Sequence, residues 1–168
     1  VHGVATPELS LTEWVVLALV GESPTHGFAV ARELQAESDL GRILTVHRPL
    51  VYRALSRLQQ AALVEEAATE RGDAGPNRTV MRATRLGKAA LKRWFVQPVD
   101  HIRDLRIEFL IKLRLTERRG NDAQPLVDAQ RSELAPTFEL LANPPAGDVV
   151  DQWRRQNAIA ARTFLNDL

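Results

Sequence analysis

Arg53, Ser56, Arg57 and Gln60 recur at three- and four-residue spacing within Arg48-Pro-Leu-Val-Tyr-Arg-Ala-Leu-Ser-Arg-Leu-Gln-Gln60. At about 100° per residue they share one face of a helix. Val51, Ala54, Leu55, Leu58 and Ala62 fall on the opposite, apolar face. Arginine presents a planar fork of donors that fits guanine O6 and N7 or a phosphate, and glutamine suits adenine. Arg48, at the helix start, is placed to meet a phosphate. Tyr52, at the edge of the face, suits a phosphate or the rim of a core equally well. Most arginine-rich helix faces are simply solvated, so this helix alone leaves both readings open.

The segments after the helix narrow the choice. Leu63-Val-Glu-Glu66 begins an extended segment, and Thr79 to Ala83 forms a second one. Between them, Arg71 to Arg78 contains Gly72, Asp73, Gly75, Pro76 and Asn77 and reads as a turn-rich tip. Arg71, Asn77 and Arg78 at such a tip can follow a phosphate backbone or enter a minor groove; a charged, solvated loop is the alternative. A helix followed by a basic β-hairpin is the arrangement by which a winged helix reads duplex DNA.

Charge is distributed accordingly. The formal net charge is only +1. Residues 1–39 carry one basic and six acidic side chains, residues 40–95 eleven and four, and residues 96–168 ten and eleven. The basic excess therefore sits in the helix, the hairpin and the helix after them, where a phosphate-contacting surface is expected.

Other chemistry finds little support. With no cysteine, disulfides and thiolate metal sites are excluded, which fits a reducing cytosol. The four histidines, His2, His26, His47 and His101, have no partner at metal-ligand spacing. Glu65 and Glu66 are adjacent on a strand and point to opposite faces, so they make a poor acid–base pair. Gly72 and Gly75 lack the strand–turn–helix setting of a dinucleotide site. No nucleophile–base arrangement is visible, so no enzyme activity, metal or cofactor is expected. The longest apolar run, Trp14 to Val20, is far short of the roughly 18 residues a membrane span needs, and its flanks do not suit a signal peptide. A cytoplasmic protein with no membrane partner is expected.

The elements that must position these residues are mostly helical. Ser10-Leu-Thr-Glu13 has the form of a capping box before a helix over Leu11 to Val20, which Gly21 to Pro24 ends. A second helix is expected from His26 to about Ser38, with Phe28, Ala31, Leu34 and Gln35 on one side, broken by Gly41. Pro49 suits the first turn of the third helix. Thr84 reads as the N-cap of a helix through about Phe95, and Gln97-Pro98 as the domain boundary. Beyond it, Ile102 to Thr116 has two apolar stripes, one of Ile102, Leu105, Phe109 and Leu113, the other of Ile107, Ile111 and Leu115. Gln124 to Ala142 is helical with a kink at Pro136, Asn143 to Gly147 is a break, and Val149 to Leu168 is the last helix. Its apolar face holds Val149, Val150, Trp153, Ala160, Phe164 and Leu168.

Several of these stretches resemble the PadR family of bacterial transcriptional regulators. Leu17-Ala-Leu-Val-Gly-Glu-Ser-Pro-Thr-His-Gly-Phe28 is similar to the family's opening motif. Val51-Tyr-Arg-Ala-Leu-Ser-Arg-Leu58, ending in Ala62-Leu-Val64, resembles its recognition helix. Thr84-Arg-Leu-Gly87 with Leu91 resembles the motif closing the wing, and Asp104 to Leu113 the first helix after it. Three positions depart from the pattern: Pro49 and Ala62 stand where glycine is usual, and Met81 where an aromatic is common. The resemblance implies a mainly α protein with a small β-hairpin wing. Residues 1–97 would form a winged helix-turn-helix domain, and residues 98–168 a helical dimerisation domain that also receives an effector.

The expected function is a homodimeric, DNA-binding repressor acting on an inverted-repeat operator. Trp153, Asn157 and Phe164 share a face of the last helix. They suit a dimer seam with Asn157 setting register, or a pocket for a small planar effector. Trp94 and Phe109 are grouped with them as effector or dimer-interface residues. A winged-helix module that binds protein rather than DNA is the alternative; it would more often show a neutral or apolar face on the third helix and wing.

Overall fold

The computed structural model describes residues 8–72, 75–142 and 147–168, with the backbone alone at 70–72 and 75–77. The first helix, α1 (Leu11–Glu22), begins with the full reciprocal capping box. The Ser10 amide donates to Glu13 Oε2 at 2.7 Å, and the Glu13 amide to Ser10 Oγ at 3.3 Å. Val15 to Val20 are all buried, so α1 is apolar on every side and runs through the middle of its unit. It packs against α2 (Gly27–Glu33), α3 (Arg48–Gln60) and a strand of the sheet.

The second helix is shorter than expected, ending at Glu33 rather than Ser38. Ser38 is the cause. Its hydroxyl donates to the carbonyls of Glu33 and Gln35 and accepts from the Gly41 amide at 2.9 Å, offering the backbone a turn in place of another helical step. Ala31 and Leu34 are buried as expected, but Phe28 and Gln35 are exposed.

The sheet has three strands in the order β1-β3-β2: β1 (Thr25–His26), β2 (Val64–Gly72) and β3 (Gly75–Ala83). The hairpin strands are longer than the alternation of side chains suggests. Arg71 and Gly75 to Arg78, expected in a turn-rich tip, lie in the strands, which pair as far as Gly72 opposite Gly75. Residues 73 and 74 fall outside the described ones. A register shift between Glu66 and Ala68 leaves Ala67 as an extra residue. The two-residue β1, unforeseen from sequence, pairs with β3 through Thr25 opposite Met81 and His26 opposite Val80.

Between α3 and β2 the chain turns on Ala62 at φ 56°, a left-handed conformation usually taken by glycine. Replacing Ala62 by glycine removes about 1–2 kcal/mol of strain but loosens the unfolded chain by about 0.4–1 kcal/mol. Ala62→Gly is therefore expected to stabilise the domain by about 0.5–1 kcal/mol. The denaturation midpoint in urea measures this; an unchanged or lower midpoint refutes the strain. Thr84 then ties the turn to α4 (Arg85–Val96): its hydroxyl donates to Ala62 O at 2.8 Å and accepts from the Gly87 amide at 3.0 Å. Gly87, Ala90, Leu91 and Trp94 form the buried face of α4, and Trp94 stacks on Trp14 at 5.4 Å between ring centroids.

The chain divides into two compact units, Val1–Trp94 and Phe95–Leu168. In the second, the expected helix over Ile102 to Thr116 is interrupted. It comprises α5 (Ile102–Asp104), a π-helical stretch (Leu105–Phe109) and α6 (Leu110–Arg118). The wider turn re-phases the residues after it. Leu105, Phe109, Ile111, Leu113 and Leu115 are all buried, so both apolar stripes are used. Helix α7 (Gln124–Ala142) continues through Pro136 and contributes Leu126, Val127, Leu134 and Phe138 to the core.

Among the described residues three polar side chains lie buried in this unit: Thr116, whose hydroxyl donates to Lys112 O at 2.7 Å, Gln130 and Lys112. Gln130, fully buried, accepts from the Val99 amide and donates to the Val99 carbonyl, both at 2.8 Å. Lys112, 1% exposed, donates to Gln97 O at 2.9 Å and pairs with Glu108 at 2.8 Å. Burial draws the Lys112 pKa below the ordinary lysine value, against the opposing pull of Glu108 and Asp100. The last helix, α8 (Val149–Asp167), packs against α7 through Ala158 and Leu165 rather than through its more apolar side. Residues 143–146, expected as a break, lie outside the described ones.

Candidate nucleic-acid interface

Helix α3 separates its two faces cleanly. Val51, Ala54, Leu55 and Leu58 are buried, while Arg53, Ser56, Arg57 and Gln60 are all exposed on the other side. Pro49 sits in the first turn, where its missing amide hydrogen costs nothing, so the departure from glycine there is accommodated. Arg48 is exposed at the first helical position. Tyr52 is 46% exposed. Its ring lies over Gly27, where a β-carbon would come within 2.7 Å of Tyr52 Cε1. Gly27 thus lets α3 approach the start of α2 closely, and Tyr52 both packs and presents an edge to solvent.

Arg57 is held from behind. Its Nε lies 3.0 Å from Oε1 of Glu13, whose side chain is only 4% exposed and whose other oxygen closes the capping box of α1. The Arg57 side chain itself is 61% exposed. A carboxylate on Nε leaves the terminal nitrogens of the guanidinium for an external acceptor. The capping-box spacing identifies Glu13 as a cap; nothing in the sequence marks it as the anchor of Arg57.

The wing brings Arg78 beside Phe28 and Arg48. Arg78 is exposed on β3, and its guanidinium lies 6.0 Å from the ring of Phe28, with that of Arg48 at 4.5 Å. Sequence periodicity groups Phe28 with the core-facing side of α2; its position after the His-Gly pair is the available signal that it stands apart. Arg71 and Asn77 have strand backbone, and their side chains lie outside the described residues. Met81, a departure from the usual aromatic, is 6% exposed beneath the sheet. Glu65 and Glu66 are separated as the strand requires, and Glu65 pairs across to Arg82 at 2.8 Å.

The residues expected at an effector or dimer surface fall into two groups. Trp94 is 3% exposed within the first unit, and Phe109 is fully buried in the second. Trp153 is 70% exposed and Phe164 37%, both on α8, where Asn157 Nδ2 donates to Trp153 O at 2.9 Å. Among the described residues no group of three or more histidine, aspartate or glutamate side chains is placed to hold a metal ion. No helix among them is long and apolar enough to cross a membrane.

Residues 16–93, which span α1 to α4, match the model of the "Transcriptional regulator PadR-like family". No curated protein matches the chain. Among solved structures, PadR of Bacillus subtilis in complex with operator DNA is 15% identical, with a TM-score of 0.50, covering 94% of this chain and 97% of that one. The same protein with p-coumaric acid is 14% identical, with a TM-score of 0.46 and coverages of 94% and 96%. A PadR-like transcription factor from Bacteroides fragilis is 22% identical, with a TM-score of 0.41 over 48% of this chain and 73% of that one. The match with the operator complex is one of fold, a mainly helical chain with a small antiparallel wing. Through residues 16–93, this chain is similar to the PadR-like family of transcriptional regulators.

Proposed function

We propose that the protein is a homodimeric transcriptional repressor that binds an inverted-repeat operator and is released by a small planar effector. The observation that carries this reading is the exposed face of α3. Arg53, Ser56, Arg57 and Gln60 point away from the core, and the wing presents Arg78. An uncharged or apolar face would have favoured a protein-binding module instead. In a two-fold dimer, the two α3 helices enter successive major grooves about 34 Å apart or a multiple of it.

We assign dimerisation to residues 98–168, the expected helical domain, which lies within the second unit. Its last helix presents Val149, Val150, Trp153 and Phe164 to solvent, each between 37% and 77% exposed. Such an apolar stripe is costly on a monomer and suits pairing with a second copy. Trp153 and Phe164 also offer flat surfaces on which a planar effector could stack, with the Asn157 amide beside them. Such a ligand would relieve repression only through a differential affinity for the DNA-free state. The expected location is the cytoplasm.

Gel retardation on the protein's own promoter region at moderate salt tests the DNA reading, and the absence of any specific shift counts against it. In the same assay Arg57→Ala is expected to weaken specific binding by about 1–3 kcal/mol. Arg57→Lys should not restore it, because an ammonium cannot make the planar two-point contact. Unchanged binding in Arg57→Ala removes that residue from the interface.

A further inference from the structure

We propose that Phe28 is a positioning residue of the DNA interface: its exposed ring holds Arg48 of α3 and Arg78 of β3 in one cleft, where the pair grips the phosphodiester backbone between recognition helix and wing. This rests on the DNA-binding reading above. The cleft has a volume of about 540 Å³ and is bordered by Phe28, Arg48, Tyr52, Gln59, Glu66 and Arg78. It is larger than one phosphate requires and suits a phosphate with its sugar.

Each part of the arrangement has a local cause. Pairing of His26 with Val80 fixes the chain just before Phe28 against β3. The His26 Nδ1 accepts from the Ala29 amide at 3.1 Å, which starts α2 and sets the direction in which Phe28 leaves the backbone. Gly27 admits the Tyr52 ring, drawing α3 alongside. The result is an aromatic ring left 40% exposed, an unfavourable place for phenylalanine unless its face is used. Two guanidinium groups from separate elements use it, at 4.5 and 6.0 Å. Cations over an aromatic face are attracted by its quadrupole and keep their N–H edges outward. Among the described residues Glu66 is the one acid bordering the cleft, which leaves the two arginines in excess. Phosphate contacts position a protein on duplex without reading its sequence. The effect of Phe28 should therefore fall equally on specific and unrelated duplexes.

The test compares Phe28→Leu, which keeps apolar bulk without a π face, with Phe28→Trp, which keeps the face. Phe28→Leu in the full chain should lower affinity for both kinds of duplex by about five- to thirty-fold. It should also reduce the slope of log K against log salt by about 1–2. Phe28→Trp should stay near wild type. In an Arg48→Ala, Arg78→Ala background, Phe28→Leu should add no further loss. An equal loss in that background assigns Phe28 a merely structural role and overturns the proposal, as does no loss at all. The Hε resonances of Arg48 and Arg78 provide a readout that needs no DNA: ring-current shifts present in wild type should vanish in Phe28→Leu. Absence of those shifts in wild type overturns the positioning itself. Shifts present in a chain that retards no duplex instead locate the failure in the DNA-binding reading.

Discussion

Gly87→Ala should destabilise the N-terminal unit by at least about 2 kcal/mol and abolish a specific gel shift. Helix propensity alone argues the reverse, since alanine is favoured over glycine inside a helix by about 1 kcal/mol. Packing decides the sign. A β-carbon at Gly87 would lie 2.1 Å from the Leu63 carbonyl oxygen and 3.3 Å from Leu17 Cδ1. The first of these is backbone and cannot rotate away. It already accepts from the Thr84 amide at 3.0 Å, so moving it breaks the bond that joins the end of α3 to the start of α4. The strain would reach α3 and the wing together. Lys88→Ala, exposed on the next position of the same helix, should change stability by no more than about 0.5 kcal/mol and serves as the control. A Gly87→Ala protein with an unaltered denaturation midpoint would show that the close approach to Leu63 is not needed.

The second large effect is expected at Gln130. Gln130→Leu keeps the size of the side chain but strands the amide and the carbonyl of Val99, both of which it satisfies in the core. Each buried group left without a partner costs about 1–3 kcal/mol, so a loss of several kcal/mol in the C-terminal unit is anticipated. Gln130→Glu should fall between wild type and Gln130→Leu, because a carboxylate can accept from the Val99 amide but, when ionised, cannot donate to its carbonyl. Thermal melts followed by helical circular dichroism distinguish the three. Equal stability of wild type and Gln130→Leu would mean that solvent reaches Val99.

Both predictions concern places where periodicity is silent. Apolar spacing puts Leu126, Val127, Leu134, Phe138 and Leu141 on one side of their helix; the first four are buried and Leu141 is half-buried. It does not show that an amide side chain sits among them, because the partner is the backbone of Val99, 31 residues away. The two faces of α3 are legible because an amphipathic helix writes its burial into a repeat of three and four residues. The start of α1 and of α4 is legible because Ser10, Glu13 and Thr84 cap through contacts only three residues long.

The departures from expectation fall where periodicity records nothing. Residue spacing predicts too long a second helix because Ser38 competes for backbone carbonyls through a local turn that no periodicity records. It predicts too short a pair of wing strands because their outer residues are polar and contain Gly72, Gly75 and Pro76. Cross-strand pairing, not propensity, makes them extended. On α8 it is Ala158 and Leu165 that meet α7, leaving Trp153 and its neighbours outside. A helix's pattern states which side is apolar; only its neighbours decide which side is covered.

By itself, then, the sequence determined the class of the protein, the boundaries set by caps, and the basic face of α3. All three depend on residues close together in the chain. The tertiary structure decided that Glu13 anchors Arg57, that Gly87 must have no side chain, and that Phe28 faces outward beneath two arginines. Each of these joins elements distant in sequence, and their geometry exists only after the chain has folded. The face of α3 names the groups we propose to touch DNA, and one of them, Arg57, is held from behind by Glu13, a residue that the sequence alone assigned to a cap.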